Sequence, residues 1–202
     1  DLEALTTYQC QVAALCSATD TSLYTVSNTV KTPCAPLSLP YSSKFNTTGA
    51  PDCWSIENVI SNSTRKWTYS TSSKYFSTTF STGAAADTAF LNTPEFKLNN
   101  SNGVIVTLYA RKSVSTDSIF TYVRYTTDGG LTYDSLPYNF RPYATSSQTI
   151  QTTIPNVGPG KIQFQFISEK HSSGYIYIYN LEVEEIDNCS RPDNVLFNVV
   201  ND

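Results

Sequence analysis

The chain carries one histidine, His171, in the polar run EKHSSG, and any chemistry built on imidazole has to begin there. A serine-histidine-acid site also needs an exposed nucleophile, commonly on a Gly-x-Ser-x-Gly elbow, and no such run occurs. His171 reads instead as a solvated loop residue. Carboxylates concentrate only at Glu182, Glu184 and Glu185. Glycoside hydrolysis needs two of them facing each other across a cleft. Glu182 and Glu184 fall on the same face of a strand pattern, which reads as edge charge that deters strand addition. No catalytic residue emerges, and the chain reads as a non-enzyme.

Five cysteines (Cys10, Cys16, Cys34, Cys53 and Cys189) contain no Cys-x-x-Cys pair, so neither a zinc site nor a redox motif is expected. In an oxidising compartment four of them suffice for two bridges. Cys10 alternates in phase with Tyr8 and Val12 and is expected to face a core as a reduced, small hydrophobe. Cys16 and Cys34 stand at the ends of adjacent strand patterns, and Cys53 and Cys189 bracket the central stretch. The expected bridges are therefore Cys16–Cys34 and Cys53–Cys189.

The elements that must position any site are strands. With 14 Tyr, 10 Phe, only 15% charged residues and abundant Ser and Thr, the composition fits an all-β extracellular protein. Period-two alternation is clearest over 103–111 (GVIVTLYAR), 118–125 (SIFTYVRY), 161–168 (KIQFQFIS) and 175–183 (YIYIYNLEV). Asp128-Gly129-Gly130 marks a hairpin turn and Gly158-Pro159-Gly160 another break. About 150 residues of this kind predict one jelly-roll β-sandwich. A net charge of −4 argues against a nucleic-acid partner. No apolar run reaches the ~18–20 residues of a membrane span. There is no Met, so the chain is expected to be a processed or excised piece.

Several motifs occur in a telling order: LPYSSKF (39–45), APDCW (50–54), Trp67, AFLNTPEFKL (89–98), YTTDGGLTY (125–133) and GYIYIYNLEVEEI (174–186). Together they resemble the MAM-like jelly-roll modules, including the cleaved-adhesin (choice-of-anchor) type of large bacterial surface proteins. The flanks add to this. TTYQCQVAALC with TVKTPC resembles the last strands of a fibronectin type III module, and CSRPDNV the start of another. The alternation resembles that of type IX-secreted adhesins. It implies a fibronectin-like remnant over 1–36, a MAM-like module over 37–187 and the start of a further module over 188–202.

The resemblance also implies what is missing. Relatives hold calcium with a Glu after the first strand's Phe and an Asp in the last strand, where this chain has Asn46 and Tyr179. Calcium needs six to eight oxygens, several from carboxylates, and Glu57 alone does not supply them. No cofactor is expected beyond, at most, a weak calcium held by backbone carbonyls. Residues 127–133 (TDGGLTY) further resemble an Asp-box hairpin, in which Gly supplies positive φ and Asp bonds its own backbone. That is a structural device.

The remaining candidates are surface features. The connection 133–143 (YDSLPYNFRPY) gathers Tyr133, Tyr138, Phe140 and Tyr143 around Arg141, the residue types that protein and glycan contacts use. Tyr175, Tyr177 and Tyr179 share one strand face, opposite Ile176 and Ile178. Asn46, Asn62, Asn99 and Asn188 stand in N-glycosylation sequons, and Thr88, Ser118 and Ser135 in Asp-Ser/Thr-aliphatic triplets that resemble O-glycosylation sites. The expectation is a non-catalytic adhesion or spacer module of a secreted surface protein. The alternatives are a carbohydrate-binding module of a secreted hydrolase and a protomer of an extracellular filament. Its partners would be a glycan, a protein surface or neighbouring copies of itself.

Overall fold

The computed structural model describes residues 2–43, 45, 49–58, 66–80, 88–100, 102–113, 120–169 and 174–186, and these form strands and turns without a helix. In chain order the strands are β1 (Thr7–Val12), β2 (Leu15–Ser17), β3 (Asp20–Thr21), β4 (Thr25–Lys31), β5 (Leu37–Ser38) and β6 (Tyr41–Ser43). There follow β7 (Ser55–Asn58), β8 (Trp67–Ser70), β9 (Tyr75–Phe80), β10 (Ala89–Asn92), β11 (Phe96–Leu98) and β12 (Gly103–Lys112). The last are β13 (Phe120–Thr126), β14 (Asp134–Ser135), β15 (Gln148–Pro155), β16 (Gly160–Glu169) and β17 (Gly174–Glu185).

Two sheets make the β-sandwich, of the jelly-roll kind that the alternation predicts. One runs β14-β13-β16-β10-β7, with β11 also on β16 and β5 parallel to β11. The other runs β15-β12-β17-β9-β8, with β6 also on β17. Non-polar residues at every second position face inward. On β12 these are Val104, Val106, Leu108 and Ala110, and on β17 Ile176, Ile178, Leu181 and Val183. Phe164 and Phe166 of β16 meet them from the other sheet.

Aromatic side chains fasten the two layers. The Trp54 ring stacks on Phe76 at 5.0 Å, Phe45 meets Phe76 edge-on at 5.1 Å, and Trp67 approaches Phe166 at 6.4 Å. Both tryptophans are buried, and each indole N–H finds an acceptor: Trp67 Nε1 donates to Ala89 O (3.2 Å) and Trp54 Nε1 to Tyr41 Oη (3.0 Å). That pairing is what burial of an indole demands. Gly103 opens β12 at φ +110°, where a Cβ would collide with the Ile154 carbonyl oxygen, so only glycine starts this strand pair.

Three expectations are corrected. β17 is a central strand, with β12 on one side and β9 and β6 on the other, so Glu182 and Glu184 guard no edge. β1 and β4 do pair, but among the described residues only with each other, and Cys10 is exposed there, as are Val12 and Val30. Alternation gives a strand two faces, and a two-stranded ribbon has no second layer to bury either of them. The single bridge among the described residues joins Cys34 to Cys53, with Cα atoms 5.7 Å apart. Cys16 keeps an exposed thiol, and Cys189 lies outside the described residues. Cys16 sits in the small β2–β3 hairpin, whereas Cys34 and Cys53 precede β5 and β7 of one sheet. Proximity along strand ends did not translate into proximity in space.

Candidate functional site

The outer face of the six-stranded sheet is built by alternation and one irregularity. Ile176 and Ile178 point into the core, so Tyr175 and Tyr177 point out. The register with β12 skips at Tyr109/Ala110, where Asn180 faces Tyr109 but Ile178 faces Ala110. Tyr179 is the extra residue of this bulge. Leu181 and Val183 return to the core, which leaves Tyr179 and Asn180 together on the outer face.

Tyr109 and Arg111 join them from β12, and Tyr75 from β9. Tyr175 and Tyr177 stack at 6.0 Å, and Tyr177 and Tyr179 at 6.4 Å. Tyr75 stands edge-on between Tyr177 (5.1 Å) and Tyr179 (5.5 Å), and Tyr109 tilts against Tyr179 at 5.7 Å. Tyr109 is 41% and Tyr175 45% exposed, so the row faces solvent. The Arg111 guanidinium lies 4.3 Å from the Tyr177 ring centre, and its Nε donates to Tyr179 Oη at 2.7 Å. That hydrogen bond raises the Arg111 pKa, so its charge is permanent. Burial, with Tyr75 nearby, pushes the Tyr177 phenol up, so it stays a neutral ring at physiological pH.

Beside this row lies a cleft of about 420 Å³ between Tyr138, Asn139, Arg141 and Tyr143 and the edge strand residues Thr149, Ile150 and Gln151. The Arg141 guanidinium lies 3.7 Å from the Tyr138 ring centre. The loop is pinned by buried Phe140 and by Lys112 N donating to Ala144 O (3.0 Å). Cleft and row meet directly: Thr149 pairs with Tyr109, and Gln151 Nε2 donates to Thr107 Oγ1 at 3.1 Å.

The stretch 133–143 therefore divides. Tyr138, Arg141 and Tyr143 share the cleft, with Tyr138 and Tyr143 about two-thirds exposed (66% and 65%). Phe140 is only 2% exposed and belongs to the core, which corrects its reading as a contact residue. Tyr133 lies under Arg124 (3.8 Å) on the opposite sheet. There a relay runs from Arg124 Nε to Gln165 (2.7 Å), Gln165 to Asn92 (2.7 Å) and Asn92 to Ser55 (3.2 Å), so polar groups on that face satisfy one another. Arg111, Tyr109 and Tyr75 were not singled out from the sequence as a site. The visible signal was that Tyr109 and Arg111 fall out of phase with Val104, Val106 and Leu108.

The other candidates divide as well. Asn46, Asn62, Asn188, Ser118 and His171 lie outside the described residues. Asn99 is exposed, but its Nδ2 already donates to Glu185 Oε2 (3.0 Å). Ser135 is exposed in β14 and Thr88 half-buried. Asp128 organises the TDGGLTY turn: its carboxylate accepts from Thr132 Oγ1 (2.6 Å), Thr126 Oγ1 (2.7 Å) and the Leu131 and Thr132 amides (3.0 Å each). Among the described residues no three His, Cys, Asp or Glu side chains gather as metal ligands would.

No family model matches the sequence, and no curated protein matches it. Solved structures resemble the fold at low identity. The K1 cleaved-adhesin domain of Lys-gingipain from Porphyromonas gingivalis W83 is 15% identical, covering 73% of this chain and 98% of that one, with a TM-score of 0.49. The CBM22-1 xylan-binding domain of Paenibacillus barcinonensis Xyn10C is 10% identical over 75% of this chain and 97% of that one (TM-score 0.46). TmCBM61, solved with β-1,4-galactotriose, is 11% identical over 65% of this chain and 88% of that one (TM-score 0.45). At these values no ligand or activity passes to this chain.

Proposed function

We propose that this chain is a non-catalytic binding module of an extracellular surface protein and holds a glycan on the outer face of the six-stranded sheet. The observation that carries the reading is the solvent-facing row Tyr109, Tyr179, Tyr177 and Tyr175, supported by Tyr75. One face of a sugar ring is largely C–H, and an aromatic plane removes that area from water at roughly 25 cal/mol per Å². Tyrosine gives up little conformational entropy on contact and keeps a hydroxyl for the sugar's polar rim. Strands hold such rings more firmly than loops do. The row spans β12, β17 and β9, about 10 Å at 4.8 Å per strand, and the cleft prolongs it past β15. An extended chain of several sugars fits that length better than a single ring.

Affinity electrophoresis in gels cast with plant, algal and animal polysaccharides tests the reading. The chain is expected to be retarded by at least one of them. Tyr177→Ala and Tyr109→Ala should migrate freely while keeping the far-ultraviolet spectrum of the parent. Failure to be retarded by any polysaccharide would remove the proposal.

A second reading, association with a neighbouring copy, is favoured by the β1–β4 ribbon. Val12 and Val30 on the ribbon, and Leu15 and Leu23 on the segment that joins its strands, are all more than 60% exposed, an apolar surface that water does not favour. Light scattering across a concentration series should then show self-association that Val12→Lys with Val30→Lys abolishes. A monomer at every concentration would dismiss it.

A further inference from the structure

We infer that the glycan on this face is acidic, and that the Arg111 guanidinium receives the carboxylate of a uronic acid residue. The inference rests on the glycan reading and adds the ligand's charge. Arg111 carries five N–H donors, and among the described residues only Nε is committed, to Tyr179 Oη. Among the described residues no carboxylate pairs with it, although a half-buried guanidinium ordinarily finds one. Instead its Cζ lies over the Tyr177 ring at 4.3 Å and its Nε is tied to the Tyr179 hydroxyl, so two contacts orient the edge bearing its other four N–H groups. A planar, pre-oriented fork matches a carboxylate in bidentate geometry, and ordering it in advance reduces what binding must spend on entropy.

The surroundings agree. Lys112, the next residue along β12, is tied through its backbone to Ala144 of the cleft loop, so Arg111 stands where the tyrosine row meets the cleft holding Arg141. Among the described residues the carboxylates of that face, Glu182 and Glu184, lie toward the other end of β17. Arg111 is level with Tyr177, and Glu182 is five residues further along β17. At 3.3 Å per residue this is roughly 16 Å, beyond the ~8 Å screening length of physiological salt, so these two carboxylates do not cancel the field at Arg111. Arg124 on the opposite sheet makes the contrast: it lies between the rings of Tyr133 and Phe90 and heads a side-chain relay.

The test compares polymers that share a backbone and differ in charge. Dissociation constants of the whole chain are measured for polygalacturonate, its full methyl ester, alginate, hyaluronan, neutral xylan and poly-glutamate at 50 and 300 mM salt. At least one uronate polymer is expected to bind, weakening with salt. If it is polygalacturonate, methyl esterification should lose about 10- to 100-fold, the value of a charge-assisted pair. Arg111→Gln should weaken the uronate polymer by the same factor and Arg111→Lys by less, with melting temperatures near the parent's. Arg124→Gln should change nothing. Binding of neutral polymers alone, equal binding of ester and acid, or uronate binding indifferent to Arg111→Gln would overturn the inference and leave the glycan reading intact. Equal binding of poly-glutamate would overturn the sugar assignment. No binding to any polymer would overturn both. The esterification comparison needs no variant, so it stands even if Arg111→Gln fails to fold.

Discussion

The indole nitrogen of Trp67, on β8 of one sheet, donates to the carbonyl oxygen of Ala89, on β10 of the other, at 3.2 Å. It is a polar tie inside an apolar interior, since Trp67 is 1% and Ala89 0% exposed. Trp67→Phe keeps most of the packing but loses this hydrogen bond, at an expected cost of about 0.5–1.5 kcal/mol. Trp67→Ala adds a cavity and should cost about 3–5 kcal/mol. Urea denaturation followed by far-ultraviolet circular dichroism measures both. Equal stability of Trp67→Phe and parent would mean the tie contributes nothing.

The bridge between Cys34 and Cys53 closes a segment with a sequence separation of 19 residues, which in the chain-entropy treatment stabilises by about 3 kcal/mol. Non-reducing peptide mapping should link Cys34 to Cys53, and alkylation of the folded chain should modify Cys16. A double Cys34→Ser, Cys53→Ser variant should unfold at correspondingly lower urea. A mapped link of Cys34 to Cys16 would contradict the arrangement.

Asp128 is held ionised by its Thr132 and Thr126 partners and the Leu131 and Thr132 amides, which put its pKa well below the usual carboxylate range. A carboxyl whose folded pKa lies below its unfolded value of about 3.9 contributes stability above that pH and loses it on acidification. Asp128→Ala should therefore melt lower than the parent at pH 7, with the gap narrowing as pH falls below about 4. A gap independent of pH would show that the turn is held by its glycines alone.

Tyr179 occupies a position where the family resemblance implies an acidic calcium ligand, and here it accepts from Arg111. A fixed guanidinium at that place repels a divalent cation. Millimolar calcium or a chelator should leave the melting temperature within about 1 °C, because only ligands that bind the folded state shift it. A rise of several degrees would place a calcium site elsewhere.

Local pattern was enough for the strand-rich class and for the two alternating faces of β12, β16 and β17, because period-two alternation is a property each segment carries alone. The burial of Trp54 and Trp67 was implied by the family resemblance, and both are buried. The sequence also brought out the stripe Tyr175, Tyr177 and Tyr179, the exposed Tyr138 and Tyr143, and the half-buried Arg141. Tertiary structure alone decided which surfaces adjoin. Whether β17 is an edge or a centre, which cysteines meet, that Phe140 turns inward while its neighbours do not, and that Tyr75, Tyr109 and Arg111 converge on the stripe all depend on pairings between residues far apart in sequence. Alternation gives each strand two faces but names neither its neighbours nor its register, and the bulge at Tyr179 moves side chains across the sheet without any mark in the local pattern.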